Sequence, residues 1–554
     1  AGHTGARTIT VPTLLIDDAT ALLERRIGTD RARSDLTATH NLAALCDGLP
    51  LALWLASEHV AGRPDTALRD LVEHLRDQRR LLDAGSHGDG DTLRAVFDLS
   101  ADSLPSDADR LYQLLGLHPS NVISTAAAAA MAGLPARRTE LVLDVLVGAH
   151  LVSQPAIDSC QTHDLLHMHA DDRARARMSE EQVRVAERRM ADWYLLTSIN
   201  AVARLTPLLT QVPPMPHLTD VAPMTFRDKD EALRWCVRER PQVMAVARHA
   251  ARVGLHDHVW RQVGTFTDLL NRYDDPRPVI DMHRIALDSA RAVGARDGET
   301  GLLNNLGAVE FRVGRFDAAS RHFEQALVAF RELGDEPGES MALFNLANVL
   351  LEQGSLRRAV ELHRQSLAIA VRIGEKPQQA RIYRRLADAQ HRLEHPDLAV
   401  EHLSAAMALL TEIGDERGLA AALTQLAELR LAARHVDQAV DLCEQALAIN
   451  RAVVDERQTA AALRVLAWAR YRQGLHDEAI TCAQDSVTLC QRMHDPRGEA
   501  RSLDALASAY AAVGQRELAR GIWRNAMALC RTTGDAYAAK IAASLEDDPT
   551  RPVG

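Results

Sequence analysis

From Gly301 onward the chain repeats itself every 40 residues, six times and without an insertion. Self-similarity of this kind constrains a fold more than composition does. Each copy must be one supersecondary unit that cannot bury its apolar face alone and so stacks on its neighbours. Leu306, Leu346, Leu386, Leu426, Leu466 and Leu506 stand in register, each followed by a small residue, Gly307 in the first copy and Ala in the others. Twelve residues after that small residue comes Ala (319, 359, 399, 439, 479 and 519), and seven further on Ala or Ser (326, 366, 406, 446, 486 and 526). Apolar residues recur at helical steps between these positions, and Gly314, Gly354, Gly474 and Gly514 interrupt the middle of the unit. That pattern predicts two helices joined by a tight turn. Two helices cross closely only where both carry small side chains, and the Gly, Ala and Ser positions supply that crossing while Leu fills the space beside it. The units close on Gly334-Asp335, Gly374-Glu375, Gly414-Asp415, Val454-Asp455, His494-Asp495 and Gly534-Asp535. Their glycines predict left-handed helix caps.

This set of small and large positions resembles the tetratricopeptide repeat, whose usual period is 34 residues. The six extra residues amount to nearly two further turns of helix at 3.6 residues per turn, and units of this length are similar to those of peptide-binding tetratricopeptide sensors. A weaker unit from Arg261, with Ile285-Ala286-Leu287 and Gly294 in register, extends the match over about residues 261–540. The resemblance implies a right-handed α-solenoid whose first helices line a concave groove. The groove positions it implies are Asn304, Asn305, Phe344, Asn345, Asn348, Arg384, Arg385, Asp388, Gln425, Glu428, Arg464, Trp468, Tyr471 and Arg472. Asparagine carries both a donor and an acceptor, so a ladder of them can pair with the backbone of an extended peptide whatever its side chains. Three readings of these residues stay open: capture of a peptide or protein, docking of the protein's own amino-terminal domains, and solvation of an exposed face. Trp468 and Tyr471 fit packing as well as recognition.

Charge and composition narrow the partners. With 75 acidic against 64 basic residues the net charge is -11, so the chain as a whole is repelled by polyphosphate surfaces, and DNA contact is expected only through a missing domain. Lysine occurs only at 229, 376 and 540, and none of the three follows a Gly. The GxxxxGK[ST] phosphate loop is therefore not in this sequence, and no enzymatic activity is expected of it. The longest uncharged apolar stretch, about Ile123 to Leu134, is short of the ~20 residues that cross a bilayer, which predicts no membrane contact. Seven cysteines without a CxxC pair argue against a disulfide framework or zinc ribbon and fit a reducing cytoplasm. Ala1, with no Met and no signal-like segment behind it, reads as a cut end of something longer.

The first 175 residues do not repeat. They contain Cys46-Asp47-Gly48-Leu49-Pro50-Leu51-Ala52-Leu53 in a helical stretch around Ala21 to Arg79, then a Gly-rich break at Gly85 to Asp91. Leu93 to Ser100, Leu114-Leu115-Gly116-Leu117-His118-Pro119 and Thr162-His163-Asp164-Leu165-Leu166 follow. Their order and spacing resemble the carboxyl half of an NB-ARC nucleotide-switch module, in which a helical subdomain carries GLPLA and a winged helix ends in a His-Asp motif. The resemblance implies that Pro50 lies against adenine and His163 reaches the β-phosphate of ADP, as a His near a helix start can. Thr162 stands where that family often has Met, and the cofactor is expected only in an intact parent, with none held by this chain. His163 and His167 share one helix face, but a zinc-protease helix needs Glu where Asp164 sits, so no metal site is expected. The third helix of the winged subdomain, read as Thr139 to His150, has no Arg or Lys, which suits packing better than base readout. Arg173 to Arg189 reads as one Arg-rich, salt-bridged solvent helix, and Pro207 to Pro223 as an elbow.

The expected fold is mostly α: a helical subdomain (1–84), a winged helix (85–175), a helical linker (176–260), the solenoid (261–540, six clear units from 301 and one degenerate before them) and a tail (541–554). A nucleotide-switch tail followed by long tetratricopeptide units in an Arg-rich chain resembles the carboxyl two-thirds of actinobacterial AfsR-type regulators. That resemblance implies a sensing or autoregulatory role beside an ATPase switch, commonly in control of secondary metabolism. The competing reading is a constitutive tetratricopeptide scaffold without nucleotide function.

Overall fold

The computed structural model describes residues 14–46, 50–61, 66–70, 72–73, 94, 97–98, 100–156, 158–205, 221–270, 276–493, 495–533 and 537–546. The GL of the GLPLA motif, the Gly-rich break, most of the Pro207 to Pro223 elbow, His494 and Gly534-Asp535 lie outside them. The chain divides into two compact units, Ala1–Phe266 and Thr267–Gly554.

The first unit begins with helices α1 (Ile16–Ile27), α2 (Thr29–Ser34), α3 (Leu36–Leu45) and α4 (Pro50–Ala61). Then come α5 (Ser106–Leu117), β1 (Val122–Ser124), α6 (Thr125–Ala132), α7 (Ala136–Gly148), β2 (Ser153–Ala156) and β3 (Ser159–Gln161). The antiparallel sheet has the order β1-β3-β2, with Ile123 opposite Cys160. This helix–strand–helix–helix–strand–strand order is the arrangement of a winged helix. Its third helix starts three residues before the expected Thr139, so Arg137 and Arg138 stand in its first turn and the reading of that helix as free of Arg is corrected. Pro135 sets that start, its fixed φ being compatible with the entry to a helix.

Two further expectations change here. The single helix from Arg173 to Arg189 is two, α8 (Asp164–Arg177) and α9 (Glu180–Leu205). Ser179 and Gln182 form a reciprocal cap between them: the Gln182 N–H donates to Ser179 Oγ at 3.3 Å, and the Ser179 N–H donates to Gln182 Oε1 at 2.9 Å. The S-x-x-Q signature of that start was present in the sequence. Arg173 is not on a solvent face but buried, held by Asp98, Asp102 and Asp109 at 3.2, 2.7 and 2.8 Å. The described part of the expected linker, residues 176–205 and 221–260, contributes to the core, since α9 packs on α10 (Lys229–Arg252) and Trp193, Tyr194, Trp235 and Phe266 are buried in edge-on ring contacts.

The second unit is the solenoid. The chain divides within α11 (His256–Leu270), which α12 (Arg277–Ala292) follows. Six hairpins then run in strict register. Their first helices are α13 (Arg296–Arg312), α15 (Glu336–Glu352), α17 (Lys376–Arg392), α19 (Glu416–Ala432), α21 (Glu456–Arg472) and α23 (Pro496–Ala512). Their second helices are α14 (Phe316–Leu333), α16 (Leu356–Arg372), α18 (Pro396–Ile413), α20 (Val436–Val453), α22 (His476–Arg492) and α24 (Arg516–Thr533). The small crossing residues Ala347, Ala359, Ala387 and Ala399 are sealed from solvent, as the pattern requires. Left-handed backbone appears where the glycines predicted it and also where they are missing: Glu394, Arg434 and Val454 have φ of 62°, 63° and 53°. Register, not residue type, therefore places these turns. Charged pairs 36 residues apart, such as Arg372–Glu336 and Lys376–Glu412, link successive units along the exposed edge, each contributing little. The expected tail from 541 is partly a further helix, α25 (Ala538–Glu546), whose Ile541 is fully buried in the last hydrophobic cluster.

Candidate functional site

First helices of successive units lie side by side, so residues about 40 apart face each other along the concave side. Asn345 Nδ2 donates to Asn304 Oδ1 at 2.9 Å, and Arg384 Nε donates to Gln425 Oε1 at 2.7 Å. Asn305 Nδ2 donates to Thr267 Oγ1 at 3.2 Å. These cross-links hold the amide and guanidinium groups in place.

The structure gathers six of the expected groove residues around one cavity of about 310 Å3: Phe344, Asn345, Asn348, Arg384, Arg385 and Gln425. Four residues that the sequence reading missed line it with them, Ala308, Phe311, Phe323 and Arg381. Arg381 was legible, because it precedes Arg384 and Arg385 by one helical turn and so shares their face. Its guanidinium stands 4.9 Å from the centre of the Phe344 ring, a cation–π placement. Phe323 was not legible as a cavity residue, since its register marks it as core; it approaches because Gly307 leaves room, an added Cβ there falling 2.8 Å from the ring.

Charge in this cavity is unbalanced. No carboxylate lines it, and among the described residues Arg384 makes no ion pair. Burial, with Arg385 and Arg381 close by and Asp415 only partly offsetting them, brings the Arg384 guanidinium down to about 10. Asp388, expected in the groove, reaches Arg385 only at 4.0 Å. Asn348 is buried and its Oδ1 has no hydrogen-bond partner, an acceptor whose desolvation is uncompensated within the chain.

The remaining expected positions belong elsewhere. Burial works against the Arg464 charge, but Glu428 at 2.7 Å outweighs it and leaves the pKa raised, so this pair is internally satisfied. Trp468 and Tyr471 pack edge to face with centroids 5.6 Å apart. The C-terminal segment covers Trp468: Lys540 Nζ stands 4.9 Å above its ring, and Tyr537 and Ala538 pack against the same cluster. Arg472, at the end of α21, is exposed.

In the first unit, Pro50 opens α4 and is exposed. His163 is the N-cap of α8, its Nδ1 accepting the Leu165 N–H at 3.3 Å with the side chain exposed. His167 turns the other way, its Nδ1 3.1 Å from Thr162 Oγ1, so the two histidines do not converge. Among the described residues no group of three or more His, Cys, Asp or Glu side chains is placed to hold a metal.

Comparison with known proteins places this geometry. The tetratricopeptide-repeat family matches residues 299–370 and 418–492. The regulatory protein AfsR of Streptomyces griseus is 29% identical over 329 residues, 58% of this chain and 33% of that protein. The regulatory protein AfsR of Streptomyces coelicolor is 32% identical over 256 residues, 45% of this chain and 25% of that protein. The chain thus spans a third or less of the length of these relatives. A solved signal-transduction ATPase with numerous domains (STAND) from Pyrococcus horikoshii, with a tetratricopeptide-repeat sensor, matches 98% of this chain and 74% of its own. Its TM-score is 0.59 at 14% identity, a likeness of fold. The chain carries tetratricopeptide repeats and is similar over part of its length to AfsR regulatory proteins, and its fold is a mostly α architecture with a solenoid. No helix among the described residues is long and apolar enough to cross a membrane.

Proposed function

We propose that this chain is the sensor and autoregulatory part of a STAND-type transcription regulator, one that controls secondary metabolism in the cytoplasm. The groove takes a peptide, protein or effector, and occupancy favours the state of the regulator in which its nucleotide module is released. A ligand can do this only through different affinities for the two states. The observation that carries the reading is the cavity of pre-positioned amides and guanidinium groups, in the solenoid of a chain similar to AfsR regulators.

In the NB-ARC part of this reading, Pro50 contacts adenine and His163 the β-phosphate of ADP. Both side chains are exposed, and with Nδ1 engaged by the Leu165 N–H, a phosphate contact would come from His163 Nε2. A Gly-Lys phosphate loop is not among these 554 residues, so nucleotide is held only together with a module that carries one. DNA contact likewise belongs to another domain.

Isothermal titration of ADP into this chain, and into a polypeptide extended upstream to include such a module, tests the switch. Binding is expected only to the extended form, and His163→Ala should weaken it. No binding to either leaves a constitutive scaffold as the better account. For the groove, replacing Asn345 and Asn348 together with Ala should abolish ligand capture with helicity and melting temperature nearly unchanged; undiminished capture would move recognition elsewhere.

A further inference from the structure

We infer that the cavity between α13, α15, α17 and α19 is a subsite for an acidic side chain, so that the groove selects extended peptides carrying Asp or Glu at one fixed position. This rests on the peptide reading of the groove and adds to it the chemistry of the ligand. Four observations carry it. Arg381, Arg384 and Arg385 converge on one cavity with no carboxylate in its lining. In a chain with 75 acidic residues against 64 basic, that is a local reversal of sign. The surface cavity of about 490 Å3 elsewhere on the solenoid shows the ordinary situation, its Arg291 paired with Glu299 and Arg296 with Glu332. In the groove the hydrogen-bond partner of Arg384 is the neutral Gln425, and Asp415 offsets its positive neighbours only in part.

The guanidinium is also aimed. Gln425 Oε1 takes the Nε–H of Arg384 at 2.7 Å, which fixes the plane of the fork and leaves its terminal N–H groups for a ligand. A fixed planar fork matches a carboxylate by two parallel hydrogen bonds. Asn348, whose Oδ1 is buried and unpartnered, lines the same cavity. At about 310 Å3 the cavity is at the small end of the ~300–1,000 Å3 range of ligand sites, which suits one side chain and its adjoining backbone better than a folded domain.

The test is selection of random decapeptides by display against the full chain, with sequencing of the enriched pool, in parallel for Arg384→Gln. The expected result is Asp or Glu enriched at least tenfold at one position in the wild-type pool and not in the variant pool. A synthetic peptide from the pool should lose at least tenfold in affinity when its acid is replaced by the amide, and that difference should vanish in Arg384→Gln. The variant removes a desolvated, unpaired charge, so its melting temperature should be unchanged or raised, which separates loss of selectivity from loss of fold. Arg385→Gln provides the same reading should the first variant fail to fold. Enrichment without an acidic position overturns the subsite and leaves peptide binding standing. No enrichment at all overturns peptide binding and the subsite with it. Protection of the chain by citrate that depends on Arg384, with no peptide enriched, would make the ligand a free small anion and also overturn the proposal.

Discussion

Gly301→Ala and Gly338→Ala are the same chemical change in two first helices of one solenoid, and the structure requires opposite outcomes. Both glycines lie inside helices, α13 and α15, where replacing Gly with Ala reduces the conformational freedom of the unfolded chain and stabilises by roughly 0.5–1 kcal/mol. At Gly301 nothing lies within 4 Å of the added Cβ, so that gain should appear intact. At Gly338 the added Cβ falls 2.2 and 2.3 Å from Cδ1 and Cε1 of Phe330 and 2.6 Å from Oδ2 of Asp335. The Asp335 cap can swing aside, but the Phe330 ring, 8% exposed, can move only by disturbing the core. Overpacking of this kind costs about 1–3 kcal/mol, which reverses the sign and separates the two variants by about 1–3 kcal/mol. The same close approach recurs at Leu410 against Gly418 and Cys490 against Gly498, whereas Ala370 and Asn450 stand in the units that carry Gln378 and Gln458 at the glycine position. Urea unfolding of the two variants, Phe330→Ala and the Phe330→Ala/Gly338→Ala double variant gives the coupling energy, expected at about 0.5–3 kcal/mol for residues in contact. Gly338→Ala as stabilising as Gly301→Ala, or a coupling of zero, would refute the idea that the ring is what excludes a side chain there.

Two further outcomes follow from buried or strained residues of the same unit. His363 is fully buried with neither ring nitrogen bonded, and desolvation, assisted by Arg385, depresses its pKa to about 3. The unfolded chain, titrating near 6.5, then binds the proton that the folded chain refuses, so stability is complete above about pH 6.5 and is lost as pH falls toward 3. Between pH 7.5 and pH 5 that loss is about 2 kcal/mol; His363→Leu, the residue in register at Leu403, should remove this share of the acid sensitivity in denaturant titrations at the two pH values. Val454 takes the left-handed conformation at φ 53° with its side chain 78% exposed, so Val454→Gly loses little burial and relieves about 1–2 kcal/mol of backbone strain. A rise of a few degrees in melting temperature is expected, and a fall would show that the turn is not strained.

The 40-residue register determined the hairpins, their crossings and the places where the backbone turns left-handed, because helical periodicity and the volume of Gly, Ala and Ser are local properties that any neighbour must respect. The turns at Glu394, Arg434 and Val454 show how far this reaches, since they form without glycine. Most of the groove positions were legible for the same reason: the face of a helix follows from spacing alone. Which of those positions are available was not. Arg384 and Arg464 occupy equivalent stretches of α17 and α21, yet Arg464 meets Glu428 and Arg384 meets Gln425, because the partner comes from the neighbouring first helix. For Trp468 the sequence left packing and recognition both open, and the C-terminal helix covers it; Arg173 read as a solvent residue, but three aspartates far away in sequence close around it. Charge and exposure at a position are set by what the fold brings against it, and for these side chains that is chain many residues away.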